Sequence, residues 1–221
     1  MFYAVDEAGN RIEPSEGARA KCPVCEGEVY ARCGDINVNH WAHQSREECD
    51  EWAESDTEWH KEWKESFPAE WVEQVVENDG ERHVADVLHP NGTVIKLQHN
   101  RPDPDSIRQR ENFFGAGNML WLFDTRDAVE RFVKWKEKEK YNEYSFTWKN
   151  ARKRVAFPRG YVYLDLERRI LQLKKMQIHP PFRGFGTLFQ HSNFIDWVKD
   201  GAGRSGKSVS HIIGSRPDKS A

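Results

Sequence analysis

Long apolar runs are missing from this chain. The longest, Met119 to Phe123, falls far short of the roughly 20 residues a membrane-crossing helix needs. The first ten residues carry Asp6 and Glu7 in place of the basic and apolar stretches of an export signal. The expectation is a soluble, cytoplasmic protein with no membrane partner. Cysteine is also scarce: four in 221 residues, oddly spaced, exclude a disulfide scaffold and leave thiols or metal ligands in a reducing compartment. Apolar residues are not in short supply at 38%, with 15 glycines besides, which excludes a disordered chain.

The net charge of −3 conceals an uneven distribution. Residues 1–145 hold 31 acidic against 18 basic side chains, and residues 146–221 hold 5 against 15. A basic end of this kind suits an anionic partner, and it equally suits attraction between the two halves of one fold.

Residues 1–45 read as short strands, Phe2 to Val5 and Val29 to Arg32, around turns at Glu7 to Asn10 and Gly34 to Asp35. They hold too little apolar material for a core of their own. From about Asp56 a helix is expected, with N-caps among Ser55 to Thr57 and a stripe of Trp59, Trp63 and Phe67 that ends at Pro68. Glu70 to Glu77 is either extended or helical. His83 to Leu88 and Thr93 to His99 read as paired strands, Ser106 to Phe114 as a helix, and Met119 to Asp124 as a buried strand. The stripe Val129, Phe132, Val133 and Trp135 points to a helix over Asp127 to Asn142. Strands follow at Gly160 to Leu166 and Ile170 to Leu173, with a last helical turn at Phe194 to Val198. The expected division is a β module at 1–48, a core at 49–145, a basic β-containing extension at 146–200 and a flexible tail at 201–221.

Cys22-Pro-Val-Cys25 and His40-Trp-Ala-His43 stand at a separation typical of zinc modules, with sulfur and imidazole donors suited to a closed tetrahedral site. Cys22, Cys25, His40 and His43 are therefore the expected ligands of a structural zinc that staples the module. Cys33 and Cys49 compete for the role. The alternative is two reduced cysteines in a tight turn and two unrelated histidines.

Asp86 interrupts the apolar run Val84 to Leu88, and in the facing run Lys96, Gln98 and Asn100 share one side. A three-residue loop Pro90-Asn91-Gly92 sets Asp86 across from Lys96, whereas a two-residue loop would set it across from Leu97. Proline followed by Asn and Gly suits the longer form. Metal-dependent nucleases of the restriction-endonuclease-like class place acidic Mg²⁺ ligands on neighbouring strands in this way.

The ordered set Asp56-Thr-Glu-Trp-His60, Trp63-Lys64, His83-Val-Ala-Asp86, Val94-Ile-Lys-Leu-Gln-His99, Arg110-Glu111 with Phe114, and Met119-Leu-Trp-Leu-Phe-Asp124 resembles the competence protein CoiA-like family. The upstream Cys-Pro-x-Cys and His-Trp-Ala-His elements are similar to its N-terminal module. The resemblance covers roughly residues 1–125. It implies an α/β, restriction-endonuclease-like mixed sheet flanked by helices, and a nuclease-type site acting on nucleic acid, DNA before RNA. Asp86 would be the strand carboxylate, Gln98 the third position, and His60 and Lys64 the helix residues, with Asp56 where the family usually has Glu. Lys96 departs from the pattern, which places a glutamate there. Two readings stay open: Lys96 stands in for the charge of Mg²⁺ or Mn²⁺ and the protein binds without cutting, or Asp56 or Glu58 completes a weaker metal-dependent site. A non-enzymatic zinc-module adaptor, with Asp86 and Lys96 purely structural, is the alternative from another class.

Gly201 to Ser208 fits the phosphate-loop pattern letter for letter, yet a working loop must open a helix whose amides hold the phosphates, and the residues after Ser208 include Gly214 and Pro217, so nucleotide binding is not expected there. Lys149, Arg152, Lys153 and Arg154 around Trp148, with Arg168, Arg169, Lys174 and Lys175, form the expected phosphate-contacting surface. Trp148 is the tryptophan whose surroundings best suit base stacking, although core is the simpler role for it.

Overall fold

The computed structural model describes residues 1–34, 38–43, 50, 52, 56–137 and 142–201. The proposed ligand Cys49, the cap candidate Ser55, the Asp35 end of the second turn and the phosphate-loop pattern beyond Gly201 lie outside them. The chain divides into two compact units, residues 1–90 with 94–100, and residues 91–93 with 101–221. No helix among the described residues is long and apolar enough to cross a membrane.

The first unit opens with five short strands, β1 (Ala4–Val5), β2 (Arg11–Ile12), β3 (Arg19–Lys21), β4 (Glu28–Arg32) and β5 (His40–His43), in an antiparallel sheet of order β2-β1-β3-β4-β5. Alternation turns one face inward, where Ala4, Cys22, Val29 and Trp41 form a small core. Helix α1 (Glu58–Glu65) starts at Thr57, whose hydroxyl accepts from the His60 amide while the His60 ring accepts from the Thr57 amide. This reciprocal cap satisfies two otherwise orphaned amides. The expected stripe of Trp59, Trp63 and Phe67 is buried. A single helical turn at Ala69–Trp71 leads into three antiparallel strands, β6 (Val72–Asn78), β7 (Glu81–Leu88) and β8 (Val94–Gln98).

In the second unit, Asp103 caps helix α2 (Pro104–Phe114) by accepting from the Asp105 and Ser106 amides. Gly115, at φ +81°, turns the chain out of it. Six strands, β9 (Met119–Asp124), β10 (Phe132–Glu137), β11 (Glu143–Trp148), β12 (Tyr161–Asp165), β13 (Arg169–Met176) and β14 (Arg183–Gln190), run in the order β10-β11-β14-β13-β12-β9. Only β12 and β9 are parallel among these pairs. Helix α3 (His191–Lys199) lays Phe194 and Trp197 against Tyr163, with ring centroids 4.9 and 5.8 Å away.

The architecture is thus mixed α/β with few helices. One expectation fails clearly. The helix sought at Asp127 to Asn142 is a short 3₁₀ turn, Arg126–Arg131, followed by β10; residues 138–141 lie outside the described part. Pairing of Phe132 with Trp148 across β10 and β11 outweighs the local helical period, as tertiary contacts commonly do for short segments.

Candidate functional site

The site begins with a turn. Leu88 pairs with Val94 and Val87 with Ile95, so the register sets Asp86 across from Lys96, as the Pro90-Asn91-Gly92 chemistry requires. Gly92 takes the left-handed conformation at φ +88°. Lys96 Nζ lies 2.8 Å from Asp86 Oδ2, and the Leu97 amide donates to the same oxygen at 2.8 Å. Burial would raise the Asp86 carboxyl, but Lys96 and Lys64 outweigh it and hold the group below the usual carboxylate range. The pair is nearly sealed, with side-chain exposures of 5% for Lys96 and 13% for Asp86. Gln98 is fully buried and donates to the Asn100 carbonyl at 3.3 Å.

A second ion group adjoins the first. Lys64 Nζ sits 2.7 Å from both Asp56 and Glu73, and the Met1 ammonium is 2.7 Å from the other Asp56 oxygen. Glu73 also accepts from the Phe2 and Tyr3 amides at 2.9 and 3.0 Å. Its backbone is strained at φ +47°. The flanking pairs Val72 with Val87 and Gln74 with Ala85 put Glu73 opposite Asp86. Burial opposes the charge of Asp56 and Lys64 alike, yet their partners prevail, so Asp56 stays below and Lys64 above its ordinary range.

His60 is 2% exposed. Burial pushes its imidazole down to about 4, with Asp86 pulling the other way; it is neutral at pH 7. Between about pH 6.5 and pH 4 the unfolded chain takes up a proton that the folded chain refuses, so stability falls with falling pH across that window. The loss attributable to this group is about 3 kcal/mol. Asn can keep the acceptor that Thr57 uses but does not titrate. Urea midpoints between pH 7 and pH 4.5 are expected to slope less steeply for His60→Asn than for the parent, and identical slopes would place the proton uptake elsewhere.

Three carboxylates, Asp56, Glu73 and Asp86, therefore face three cations, Lys64, Lys96 and the Met1 ammonium. A hard divalent ion is held by carboxylate charge that nothing else has consumed. This group does not fit Mg²⁺ or Mn²⁺: its acids are neutralised, Asp86 by the Lys96 ammonium and Asp56 and Glu73 by Lys64 and the Met1 ammonium. Sequence reasoning misses Glu73. The available signal is a carboxylate between Val72 and Val75, in a segment whose pattern does not decide between strand and helix.

The sulfur and imidazole donors behave differently. Cys22 Sγ, Cys25 Sγ and one His43 nitrogen lie within 4.8 Å of one another, with Cys25 Sγ 3.3 Å from His43 Nε2. The Cys22 amide donates to the Gly27 carbonyl, and a Cβ on Gly27 would come 3.3 Å from Cys25 Sγ, so the turn closes tightly around the sulfurs. These three could hold a metal, and they suit a soft or borderline ion such as zinc. His40 is not in the group. Residues three apart on a strand point to opposite faces, and His40 Nδ1 instead bonds the Val38 carbonyl at 2.8 Å.

In the second unit, the Trp148 ring is fully buried and stacked on Phe132 at 4.4 Å between centroids, which leaves no face for a base. Arg152 is tied to Asp127 and to the Asp124 carbonyl. Arg154 donates to the Arg101 and Pro102 carbonyls, and Lys153 lies over the Phe182 ring. Lys149, Lys153 and Arg154 are exposed. Lys64, expected at a nucleic-acid surface, is buried between Asp56 and Glu73.

Residues 15–51 match the family model described as competence protein CoiA, N-terminal domain. No curated protein and no solved structure matches the chain.

Proposed function

We propose that this protein, whose residues 15–51 match the competence protein CoiA N-terminal domain, binds nucleic acid, DNA in preference to RNA, through a restriction-endonuclease-like scaffold whose cleavage site has become an internal ion-pair cluster. The carrying observation is the Lys96–Asp86 pair: an ammonium, 2.8 Å from the strand carboxylate, supplies in place the charge a metal would bring. Phosphodiester hydrolysis of this type needs the metal to ready a water and to stabilise charge on the phosphate. An ammonium does neither to the same degree. Zinc on Cys22, Cys25 and His43 then serves as the staple of the N-terminal sheet.

The test is a plasmid assay. The full chain is expected to retard DNA, with affinity falling steeply as salt rises, and to leave supercoiled plasmid intact with Mg²⁺ or Mn²⁺ present. Metal-dependent nicking by the parent protein would defeat the proposal. A second reading, a zinc-module adaptor that binds no nucleic acid, draws support from the completeness of charge pairing in the cluster, and absence of retardation at low salt would favour it.

For the metal, one equivalent of zinc is expected in the purified protein. His43→Ala should lower zinc affinity by at least about tenfold while His40→Ala leaves it unchanged, as read by competition with a chromogenic chelator. Equal losses in both variants would return His40 to the ligand set.

A further inference from the structure

The N-terminal sheet has a second face that neither cluster uses. Cross-strand pairs Ala20 with Val29 and Ala31 with Trp41 lie on the core side, while Arg19 with Tyr30, Lys21 with Glu28, and Arg32 with His40 lie on the other. Arg19, Lys21, Glu28 and Arg32 are exposed, and Tyr30 and His40 are half-buried. The face therefore carries three permanent cations against one carboxylate, around an accessible aromatic ring. Arg32 Nε donates to the Tyr30 hydroxyl at 3.1 Å, and its guanidinium stands 5.3 Å from the centre of that ring, which fixes a cation beside the aromatic. Neither Arg19 nor Lys21 has an ion-pair partner among the described residues. A cleft of about 460 Å³ counts Gly17, Arg19, Glu28 and Tyr30 among its lining residues.

We infer that this face seats a single-stranded nucleic acid, with phosphates against Arg19, Lys21 and Arg32 and an unstacked base against Tyr30. The inference rests on the nucleic-acid reading above and gives it a place, on the first unit rather than on the basic residues 149–154. The ring separates the two surfaces: in the basic segment Arg152 is tied to Asp127 and Trp148 is buried against Phe132, so its exposed cations Lys149, Lys153 and Arg154 have no open ring from Trp148 beside them, whereas Tyr30 stands among Arg19, Lys21 and Arg32. The ring decides the kind of polyanion. An acidic peptide would answer the cations but has no use for Tyr30, and the bases of a duplex present edges rather than faces. A single strand offers both a phosphate row and free base faces. His40, no longer a ligand candidate, stands on this face across from Arg32.

The experiment uses the full zinc-loaded chain and a fluorescent oligothymidylate strand, with binding followed by anisotropy between about 50 and 200 mM salt. Arg19→Ala with Arg32→Ala is expected to weaken binding by at least about tenfold and to flatten the log–log salt slope by about 1.4, the share of two phosphate contacts on a single strand. Tyr30→Leu should weaken binding by roughly tenfold with the slope unchanged. Lys149→Ala with Lys153→Ala should stay within about twofold of the parent. Unchanged zinc content and thermal midpoint establish that each variant is folded. If the parent binds and the face variants bind as it does, the inference falls while the nucleic-acid reading stands. If the parent binds no strand or duplex at low salt, both fall. If poly-glutamate displaces the strand as well as unlabelled strand does and Tyr30→Leu has no effect, the partner is an acidic protein and the assignment is overturned.

Discussion

Replacing Lys64 with methionine is expected to cost the first unit about 3–5 kcal/mol, the usual consequence of removing one partner from a buried ion pair. The magnitude follows from what remains. Glu73 would keep its charge inside the protein with only the Phe2 and Tyr3 amides to answer it, and Asp56 would keep only the Met1 ammonium. Such a loss approaches the total stability of an ordinary domain, so urea unfolding followed by tryptophan fluorescence should start near zero denaturant. Adding Glu73→Gln is expected to recover part of the loss, since the amide oxygen can still accept from Phe2 and Tyr3 while the orphan charge disappears. A single-variant loss under about 1 kcal/mol would mean that the cluster is solvated and its pairs are as weak as surface ones. The pH window follows from the shifts. The lowered Asp56 and Asp86 contribute above the unfolded carboxylate range near 3.8 and lose that contribution as pH falls. The raised Lys64 contributes fully below 10.5 and loses its contribution only at higher pH.

Lys96→Glu reverses the charge that closes the site, and two effects are expected from it. Without divalent metal, the introduced carboxylate would face Asp86 across the strands, with Glu73 opposite Asp86 on the other side. Like charges placed this way are destabilising, and a buried, unpaired carboxylate brings the total to several kcal/mol. With Mg²⁺ or Mn²⁺, the introduced carboxylate and Asp86, which no longer faces an ammonium at position 96, become oxygen ligands, while Glu73 stays with Lys64; binding to the folded state alone raises stability by mass action. The thermal midpoint of the variant should therefore climb with divalent concentration while that of the parent stays flat. Metal-dependent plasmid nicking by the variant would show that the remaining machinery persists. A midpoint indifferent to divalent ions, together with no nicking, would remove the support for a nuclease ancestry.

What could be read from the sequence is what local chemistry decides. Pro90-Asn91-Gly92 fixed the hairpin register, and with it the Asp86–Lys96 meeting, because turn geometry is set within a few residues. Thr57 as a cap and the buried Trp59–Trp63 stripe are equally local. The failures share a different origin. Glu73 joins the cluster through amides some seventy positions earlier in the chain, which no window can reveal. His40 looked equivalent to His43 until β5 was known to be a strand, where a spacing of three separates faces. Trp148 sits among cations in sequence yet is buried, because β10 and β11 form a hairpin that brings Phe132 onto it.

The order β10-β11-β14-β13-β12-β9 also dictates when the second unit can assemble. The excursion between the parallel strands β9 and β12 carries the β10–β11 hairpin, and one side of that hairpin is completed only by β14, where Glu143 meets Thr187. Until β14 is in place, β11 presents a bare row of amides and carbonyls, and the closure that covers it spans some forty residues. Folding of this half is therefore governed by distant pairing, which is slow, and a chain cut short before β14 would leave an open edge available to its neighbours.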